Sequence, residues 1–267
     1  MTSTASCTPN KPALALNTAE NRVQFAIGTR EKLLLAQETE VRAKTMQVLP
    51  PAVSACLTRL ELTPQQLDRV AVVRGPGTFT GVRVGMSFAL GLSRGGGIGL
   101  AGLEYLSLLA TGLAGILHGR LWVCTHARQD LVNIQQFSAF EGLPQGSAAC
   151  LDRKKAAQTV ATGTQMSYIL GSGVRRDPDW WQSQMPGTII LPQIWDHPRP
   201  EHLLRAAWQA QCSRDDLLPV YLRASDAEAQ LERIARNRGA DPDTARKTIP
   251  RFELDTEKES PFPEQGD

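Results

Sequence analysis

The stretch VRGPGTFTGVRVGMSFALG, residues 73–91, constrains the fold of this chain more than any other part of the sequence. The apolar run VAVV just before it has the length and β-branched content of a short buried strand, and Gly-Pro-Gly ends that run. A helix is predicted from about Thr80 to Ser93. Glycine turns between a strand and a helix often bind phosphate, so phosphate binding is the first hypothesis to consider.

The spacing of these glycines does not fit the phosphate-binding templates. Five residues separate Gly75 from Gly81 where a P-loop has four, and Lys and Ser/Thr do not follow. Three residues separate Gly77 from Gly81 where the dinucleotide fingerprint has two. The start of a helix still attracts anions. Anion or nucleotide contact therefore stays a secondary hypothesis for Gly75, Gly77, Thr78, Thr80 and Arg83.

The predicted helix contains an unusual number of small residues, at Gly81, Gly85, Ala89 and Gly91. Each glycine costs about 1 kcal/mol relative to alanine inside a helix, so a close contact with another backbone should compensate. Gly81 and Gly85 lie on the same helix face. Two interpretations remain open: the helix is buried in the chain's own core, or this face binds a partner.

Hydrophobic patterns predict alternating strands and helices over the first half of the chain. ALALNTAENRVQFAIGTREKLLLAQETE is typical of three short strands joined by turns. KTMQVLPPAVSACLTRLE predicts a helix. Pro50 and Pro51 should either delay the start of this helix or kink it. Further strands are expected near residues 98–101, 120–125 and 131–137, with a helix up to about residue 113.

The second half is less clearly patterned. TVATG and TIILP, residues 159–163 and 188–192, are candidate strands, and PEHLLRAAWQAQ at 200–211 predicts a helix with one apolar face. Residues 238–267 are charged and nearly free of large aliphatic side chains, which is typical of a disordered tail. Residues 1–12 are expected to be a disordered lead.

Composition excludes several classes of protein. A chain of 267 residues fits one large domain or two small ones, and a net charge of +2 does not indicate nucleic-acid binding. It has no run of eighteen apolar residues and no secretory signal, so we expect a cytoplasmic protein without a membrane span. The five cysteines and four histidines are scattered without metal-ligand spacing, so no metal and no cofactor are expected.

Two short motifs have both a chemical and a structural interpretation. HARQD, residues 126–130, places a base, a cation and an acid in one turn, although an exposed hairpin turn is the more common explanation. DPDWW, residues 177–181, is either a binding patch or a half-buried surface turn. No nucleophile is paired with a base at a recognisable spacing, so no catalytic residue is predicted.

The residues around the glycine turn resemble a known family. GPGTFTGVRVGMSFALGLSRGGGIGLAGLEYLSLLA is similar to the signature region of TsaB (YeaZ) proteins, accessory proteins of bacterial threonylcarbamoyladenosine tRNA modification. Three further segments resemble family elements in the correct order: ALALNTAENRVQFAI at the first strands, VLPPAV in the first helix and PVYLR at residues 219–223.

The resemblance implies an α/β fold of the actin, Hsp70 and sugar-kinase type. This fold has two domains, each a mixed sheet flanked by helices. For this chain we expect a first domain at residues 13–115 and a second, diverged domain at 116–237, between the lead and the tail.

The same resemblance implies a role without catalysis of its own. The family pairs with its paralogue TsaD, which transfers the threonylcarbamoyl group. TsaE joins that complex, and contact with tRNA is only indirect. The family's contact with TsaD uses its first two helices, here about residues 44–60 and 80–93. The implied interface residues are Leu49, Val53, Gly81, Gly85, Met86 and Ala89.

Some residues depart from the family pattern. Asn17 replaces the aspartate that ends the first strand, and Lys44-Thr45 stands where the family often has His-Ser or His-Thr. His126 and Asn133 replace the Asp and Tyr of a family motif. Two alternatives therefore stay open: a standalone ATPase or peptidase-like hydrolase of the same superfamily, and a diverged homodimer that does not bind TsaD.

Overall fold

The computed structural model describes residues 11–41, 44–162, 165–213 and 217–222, and these residues form two mixed β-sheets flanked by helices. The lead predicted at residues 1–12 lies almost entirely outside the described residues, and the tail predicted at 238–267 lies wholly outside them. Each sheet combines an antiparallel set of strands with a parallel set.

The first sheet has the strand order β11-β5-β4-β1-β2-β3. Strands β1, β2 and β3 are the antiparallel meander predicted from alternation, whereas β4 and β5 run parallel to β1. Its strands are β1 (Ala13–Asn17), β2 (Arg22–Gly28), β3 (Leu33–Glu40), β4 (Arg69–Val73), β5 (Gly99–Leu103) and β11 (Cys212–Ser213). The helices that connect or follow them are α1 (Thr45–Arg59), α2 (Phe79–Gly96) and α3 (Tyr105–Thr111).

The second sheet has the order β10-β9-β6-β7-β8. Here β6, β7 and β8 are antiparallel, and β9 and β10 continue parallel to β6. Its strands are β6 (Arg120–Arg128), β7 (Leu131–Ser138), β8 (Ala149–Asp152), β9 (Ser167–Leu170) and β10 (Thr188–Ile190). Its helices are α4 (Arg153–Ala161), α5 (Pro178–Gln184) and α6 (Pro200–Gln209).

The two sheets repeat one pattern. In each, three antiparallel strands are followed by helix, strand, helix, strand and helix, and the fourth and fifth strands run parallel to the first. Parallel neighbours need a crossover connection, which explains why helices occur at these points of the sequence. The predicted α/β fold, with two mixed sheets flanked by helices, is confirmed.

The buried apolar residues form layers rather than two separate cores. Helices α1 and α2 pack on one face of the first sheet, and α4 and α5 pack on the outer face of the second. The largest cluster lies between the two sheets and includes residues of both sheets together with α3 and α6. A core shared by both sheets holds the two halves of the chain together through burial of apolar surface.

Helices α3 and α6 are exchanged between the halves. Helix α3 follows the first sheet in sequence but packs on β6, whereas α6 follows the second sheet and packs on β1 and β2. Strand β11 then pairs with β5 at the edge of the first sheet. These contacts place residues 200–213 beside the first sheet, although they follow the second sheet in sequence. The division of the chain into domains at residue 116 stays a prediction.

One of the two alternatives for α1 was wrong, and so was one predicted strand. Helix α1 begins at Thr45, ahead of Pro50 and Pro51, so the prolines do not delay its start, and a kink at these residues stays a prediction. The candidate strand TVATG begins inside helix α4 instead of a strand. In that helix Ala156, Ala157 and Val160 are buried on one face, a helical spacing that outweighs the β-propensity of Thr and Val.

Candidate functional site

The glycine turn lies against other parts of the backbone. A Cβ atom on Gly77 would stand 2.2 Å from the carbonyl oxygen of Ala19, in the turn after β1. A Cβ atom on Gly75, whose φ is +119°, would stand 2.5 Å from the carbonyl oxygen of Val220. The amide of Thr78 donates to the Ala19 carbonyl at 2.6 Å. These contacts explain the two glycines as positions where backbones meet.

The polar side chains near this turn are used within the chain or face solvent. Arg83 Nε donates to the hydroxyl of Tyr221 at 2.9 Å, and its guanidinium lies 3.7 Å from the centre of the Phe79 ring. Thr78 makes no capping hydrogen bond, and Thr80 is exposed. Arg83 therefore anchors the segment 217–222 over the start of α2, and its role as an anion contact stays a hypothesis.

The small face of α2 packs on the chain's own first strand. A Cβ on Gly81 would lie 2.2 Å from the carbonyl oxygen of Thr18, and one on Gly85 would lie 2.2 Å from the Thr18 hydroxyl. That hydroxyl donates to the carbonyl of Gly81 at 2.8 Å. The close contact that compensates for the glycines is therefore made within the chain. This agrees with the interpretation that the small face of α2 is buried in the chain's own core.

The other residues implied as an interface also lie mostly inward. Leu49, Val53 and Ala89 are buried in the cluster between α1, α2 and the first sheet, and Met86 is half-buried against it. Apolar periodicity marks the face that a helix buries, and here that face covers the chain's own sheet. Their role in binding a partner stays a prediction, and the surface that these two helices leave open is the opposite face.

The outer face of the two helices is different in character. On α2, Ser87, Gly91 and Gly95 are exposed at four-residue spacing, and added Cβ atoms on the two glycines would have open space around them. Half-buried apolar side chains flank these positions on both helices: Val48, Ala52, Val84, Phe88 and Leu92. This outer face is thus lined by small residues and partly exposed apolar groups.

Asn17 serves a structural purpose at the end of β1. It is buried, its side-chain amide donates to Gln24 Oε1 at 3.2 Å, and its Oδ1 accepts from the amide of Ala19 at 3.1 Å. It thereby fixes the turn that contacts the glycine loop. Within the described ranges, no group of three or more His, Cys, Asp or Glu side chains is placed to hold a metal ion.

A buried carboxyl group that sequence patterns did not single out joins the two sheets. Glu20, in the turn after β1, accepts hydrogen bonds from the hydroxyls of Ser172 and Tyr105, the second at 2.8 Å. Its Oε2 also lies 3.6 Å from Nδ1 of His197. Ser172 follows β9 of the second sheet, so one side chain bridges both halves. A lone acid in a turn carries no pattern that would reveal this.

A second buried acid, Asp196, lies at the same junction between the two sheets, where Glu20 meets Ser172 and His197. Asp196 accepts two hydrogen bonds from the guanidinium of Arg175, at 2.6 and 2.8 Å, and one from the amide of Gly171 at 2.8 Å. A bidentate arginine contact is the pairing best able to hold a buried carboxylate in its charged form. Asp196 thus has a guanidinium in direct contact, whereas the contacts of Glu20 described above are two hydroxyl donors and an imidazole.

Burial shifts the protonation of this junction. It raises the pKa of Glu20, against the opposing hydrogen bonds from Ser172 and Tyr105. Burial, together with the charge of Arg22, lowers the pKa of His197 to about 4. The imidazole is therefore neutral at pH 7. In this state it places no buried charge beside the hydroxyl of Tyr105, which lies 3.4 Å from its Nδ1.

None of the helices in the described ranges has the length and apolarity needed to span a bilayer.

Sequence comparison agrees with the resemblance over part of the chain. A family model described as "TsaD: tRNA N6-adenosine threonylcarbamoyltransferase" matches residues 39–161. The tRNA threonylcarbamoyladenosine biosynthesis protein TsaB of Haemophilus influenzae is 34% identical over 101 residues, 38% of this chain and 42% of that protein. The Bacillus subtilis protein of the same name is 32% identical over 98 residues, 36% of this chain and 42% of that protein. The chain thus matches about two fifths of the length of these relatives.

Structure comparison extends the likeness to most of the chain. YeaZ from Pseudomonas aeruginosa superposes with a TM-score of 0.62 at 24% identity, over 79% of this chain and all of that one. At this identity the match concerns the fold alone. The similarity to TsaB (YeaZ) proteins predicted from the sequence is confirmed.

Two alanine substitutions on α2 should have opposite effects on stability. Gly81→Ala places a Cβ against the Thr18 carbonyl, and we expect a loss of about 1–3 kcal/mol in unfolding free energy through overpacking. Gly91→Ala has open space and should gain about 1 kcal/mol from helix propensity. Urea unfolding followed by circular dichroism measures both. Equal stability of the two variants would contradict the assignment of inner and outer faces.

The junction should make stability depend on pH in the acid range. His197 binds a proton near its ordinary pKa of 6.5 when unfolded but only near 4 when folded. The unfolding free energy should therefore fall between pH 6.5 and 4, by up to about 3 kcal/mol. Its fall should be shallower in His197→Asn, which cannot titrate. Glu20, with its raised pKa, contributes stability at low pH that is lost as pH rises, and it is present in both proteins. Identical pH profiles would contradict this.

Proposed function

We propose that this chain is a non-catalytic accessory protein of tRNA threonylcarbamoyladenosine modification. It resembles TsaB proteins in sequence over more than a third of its length and in fold over most of it. In this proposal it binds TsaD, the threonylcarbamoyltransferase, and stabilises it in an active arrangement. TsaE joins through the complex, and contact with tRNA is indirect. The names of the matched relatives support the pathway, and a match to the TsaD family model agrees with kinship to that enzyme.

The observation that carries the proposal is the outer face of α1 and α2. Gly91 and Gly95 lower helix stability, and no contact with the described residues of the chain explains them. Small residues at four-residue spacing let a partner helix approach closely, and the half-buried Val84, Phe88 and Leu92 would add apolar contact around them. The two helices so exposed are the ones that the family resemblance implies for TsaD binding.

The surroundings of β1 favour a role without catalysis. An amide, Asn17, stands where ATP-using relatives have an aspartate, and both ends of that amide are hydrogen-bonded. The carboxyl group nearest to it, Glu20, is buried and held by two hydroxyls. Neither group is free to position a metal or activate water. The standalone ATPase or hydrolase is therefore the weaker alternative, and we propose a cytoplasmic location, where tRNA is modified.

The interface is tested by making the outer face bulky. The full chain and TsaD from the same genome are mixed at micromolar concentration and analysed by size-exclusion chromatography with light scattering and by calorimetry. Wild-type protein should form a stable complex. Gly91→Leu should weaken it at least tenfold, because the added side chain blocks close helix approach. The variant should fold, since no described residue lies within 4 Å of a Cβ atom added at that position.

Gly187→Leu is the matched control. This glycine also has open surroundings, but it lies before β10 on the second sheet, and its substitution should change TsaD affinity less than twofold. Absence of a complex with wild-type protein would overturn the proposal. A homodimer that Gly91→Leu disrupts, with no binding of TsaD, would establish the alternative of a diverged homodimer. Turnover of ATP by the isolated chain would contradict the non-catalytic role.

A further inference from the structure

A cavity of about 180 Å³ lies at one end of the second sheet, apart from α1 and α2. It is formed where the β6–β7 turn meets the segment after β9 and the first residues of α4 and α5. The HARQD and DPDWW motifs, distant in sequence, thus come together around one space. Its lining includes His126, Asp130, Val132, Arg153, Arg176, Asp177 and Trp181.

The position is one where α/β proteins commonly bind ligands. Strands β6 and β9 are parallel neighbours, and the cavity lies beyond their carboxyl ends. Side chains from several segments converge there because loops at that edge all leave the sheet in the same direction. The cavity therefore combines a suitable location with side chains that can make specific contacts.

The charges around the cavity are of both signs. Arg153 lies 3.4 Å from Asp130 and 3.5 Å from Asp177, which are long ion pairs rather than tight ones. Arg176 donates to the carbonyl of Gln129 at 3.0 Å, and its guanidinium is exposed. Asp130 is 69% exposed. Two cationic and two anionic groups thus face one small space with capacity left for further hydrogen bonds.

The floor of the cavity is apolar and firmly held. Trp181 is 1% exposed, and its indole nitrogen donates to the carbonyl of Gly173 at 3.2 Å. Val132 of β7 is buried beside it. The guanidinium of Arg153 rests 4.4 Å from the centre of the Trp180 ring, which fixes its plane at the rim. A rigid floor and anchored rim lower the entropic cost of binding a small ligand.

This arrangement excludes other ligand classes. Two arginines repel a metal cation, and the described residues hold no metal-ligand cluster. The two aspartates oppose a simple anion such as phosphate, and they would also repel a nucleic-acid backbone. A volume of about 180 Å³ is below the roughly 300–1,000 Å³ of pockets that enclose a drug-sized ligand, so the cavity suits a smaller molecule.

We infer that the cavity binds a small zwitterion of the α-amino-acid type. Its carboxylate would pair with Arg176, whose planar guanidinium suits a bidentate contact. Its ammonium group would lie beside Asp130, the more exposed of the two aspartates, since Asp177 caps α5 by accepting from the amide of Trp180. A short side chain would rest on Trp181 and Val132. Such a ligand carries both charges needed to match the cavity. This inference does not depend on binding of TsaD, so either can fail alone.

The test compares three probes that differ by one charged group. L-Alanine, propionate and ethylammonium are titrated into the full chain by calorimetry, and ligand-observed NMR extends the range to millimolar affinity. L-Alanine should bind at least tenfold more tightly than propionate, which lacks the ammonium group, and than ethylammonium, which lacks the carboxylate. L-Tryptophan should not bind, because it exceeds the space.

Variants locate the site. Arg176→Ala and Asp130→Asn should each weaken L-alanine binding at least tenfold, and both positions are exposed, so the thermal midpoint should stay near that of wild type. Arg128→Ala, in the same turn but outside the lining, is the matched control and should change affinity less than twofold. Equal affinity for propionate and L-alanine would overturn the zwitterion assignment. No binding of L-alanine up to 20 mM, or binding unaffected by both variants, would overturn the site.

Discussion

The structure depends on one short turn, Thr18–Ala19–Glu20, at the end of the first strand. Each residue makes a different contact: Thr18 with the inner face of α2, Ala19 with the glycine loop, and Glu20 with the second sheet. Asn17 holds the turn in place through its side-chain amide. Since these contacts are made by adjacent residues, a shift of the turn would disturb the helix, the loop and the junction together.

The glycines of the signature region are explained by this turn and by the surface opposite to it. Gly77 and Gly81 are required because backbone atoms of the turn occupy the space of a side chain. Gly91 and Gly95 have no such neighbour among the described residues, so no contact seen there offsets the cost of glycine in a helix. One helix thus has an inner face that packs in the fold and an outer face on which we propose that a partner binds.

Much of the fold followed from local patterns. Alternation predicted the meander of β1–β3, and the run VAVV predicted β4, because side-chain periodicity reports directly on which face is buried. The candidate interface was less predictable. The family resemblance implied Leu49, Val53 and Ala89 as interface residues, yet their apolar spacing also marks residues that a helix buries in its own core. Sequence spacing cannot tell which of two apolar surfaces a helix covers.

The sequence by itself determined the order of strands and helices, the family resemblance and the need for glycine at the turn, because these depend on local propensity and on motif residues. Only the tertiary structure decided what each glycine contacts, that Glu20 bridges the sheets, and that HARQD and DPDWW meet at one cavity. Those facts depend on contacts between residues up to about 150 positions apart in the chain, such as Glu20 and Ser172 at a separation of 152. Such contacts leave no periodic signal, since they arise only when the two sheets pack on their shared core.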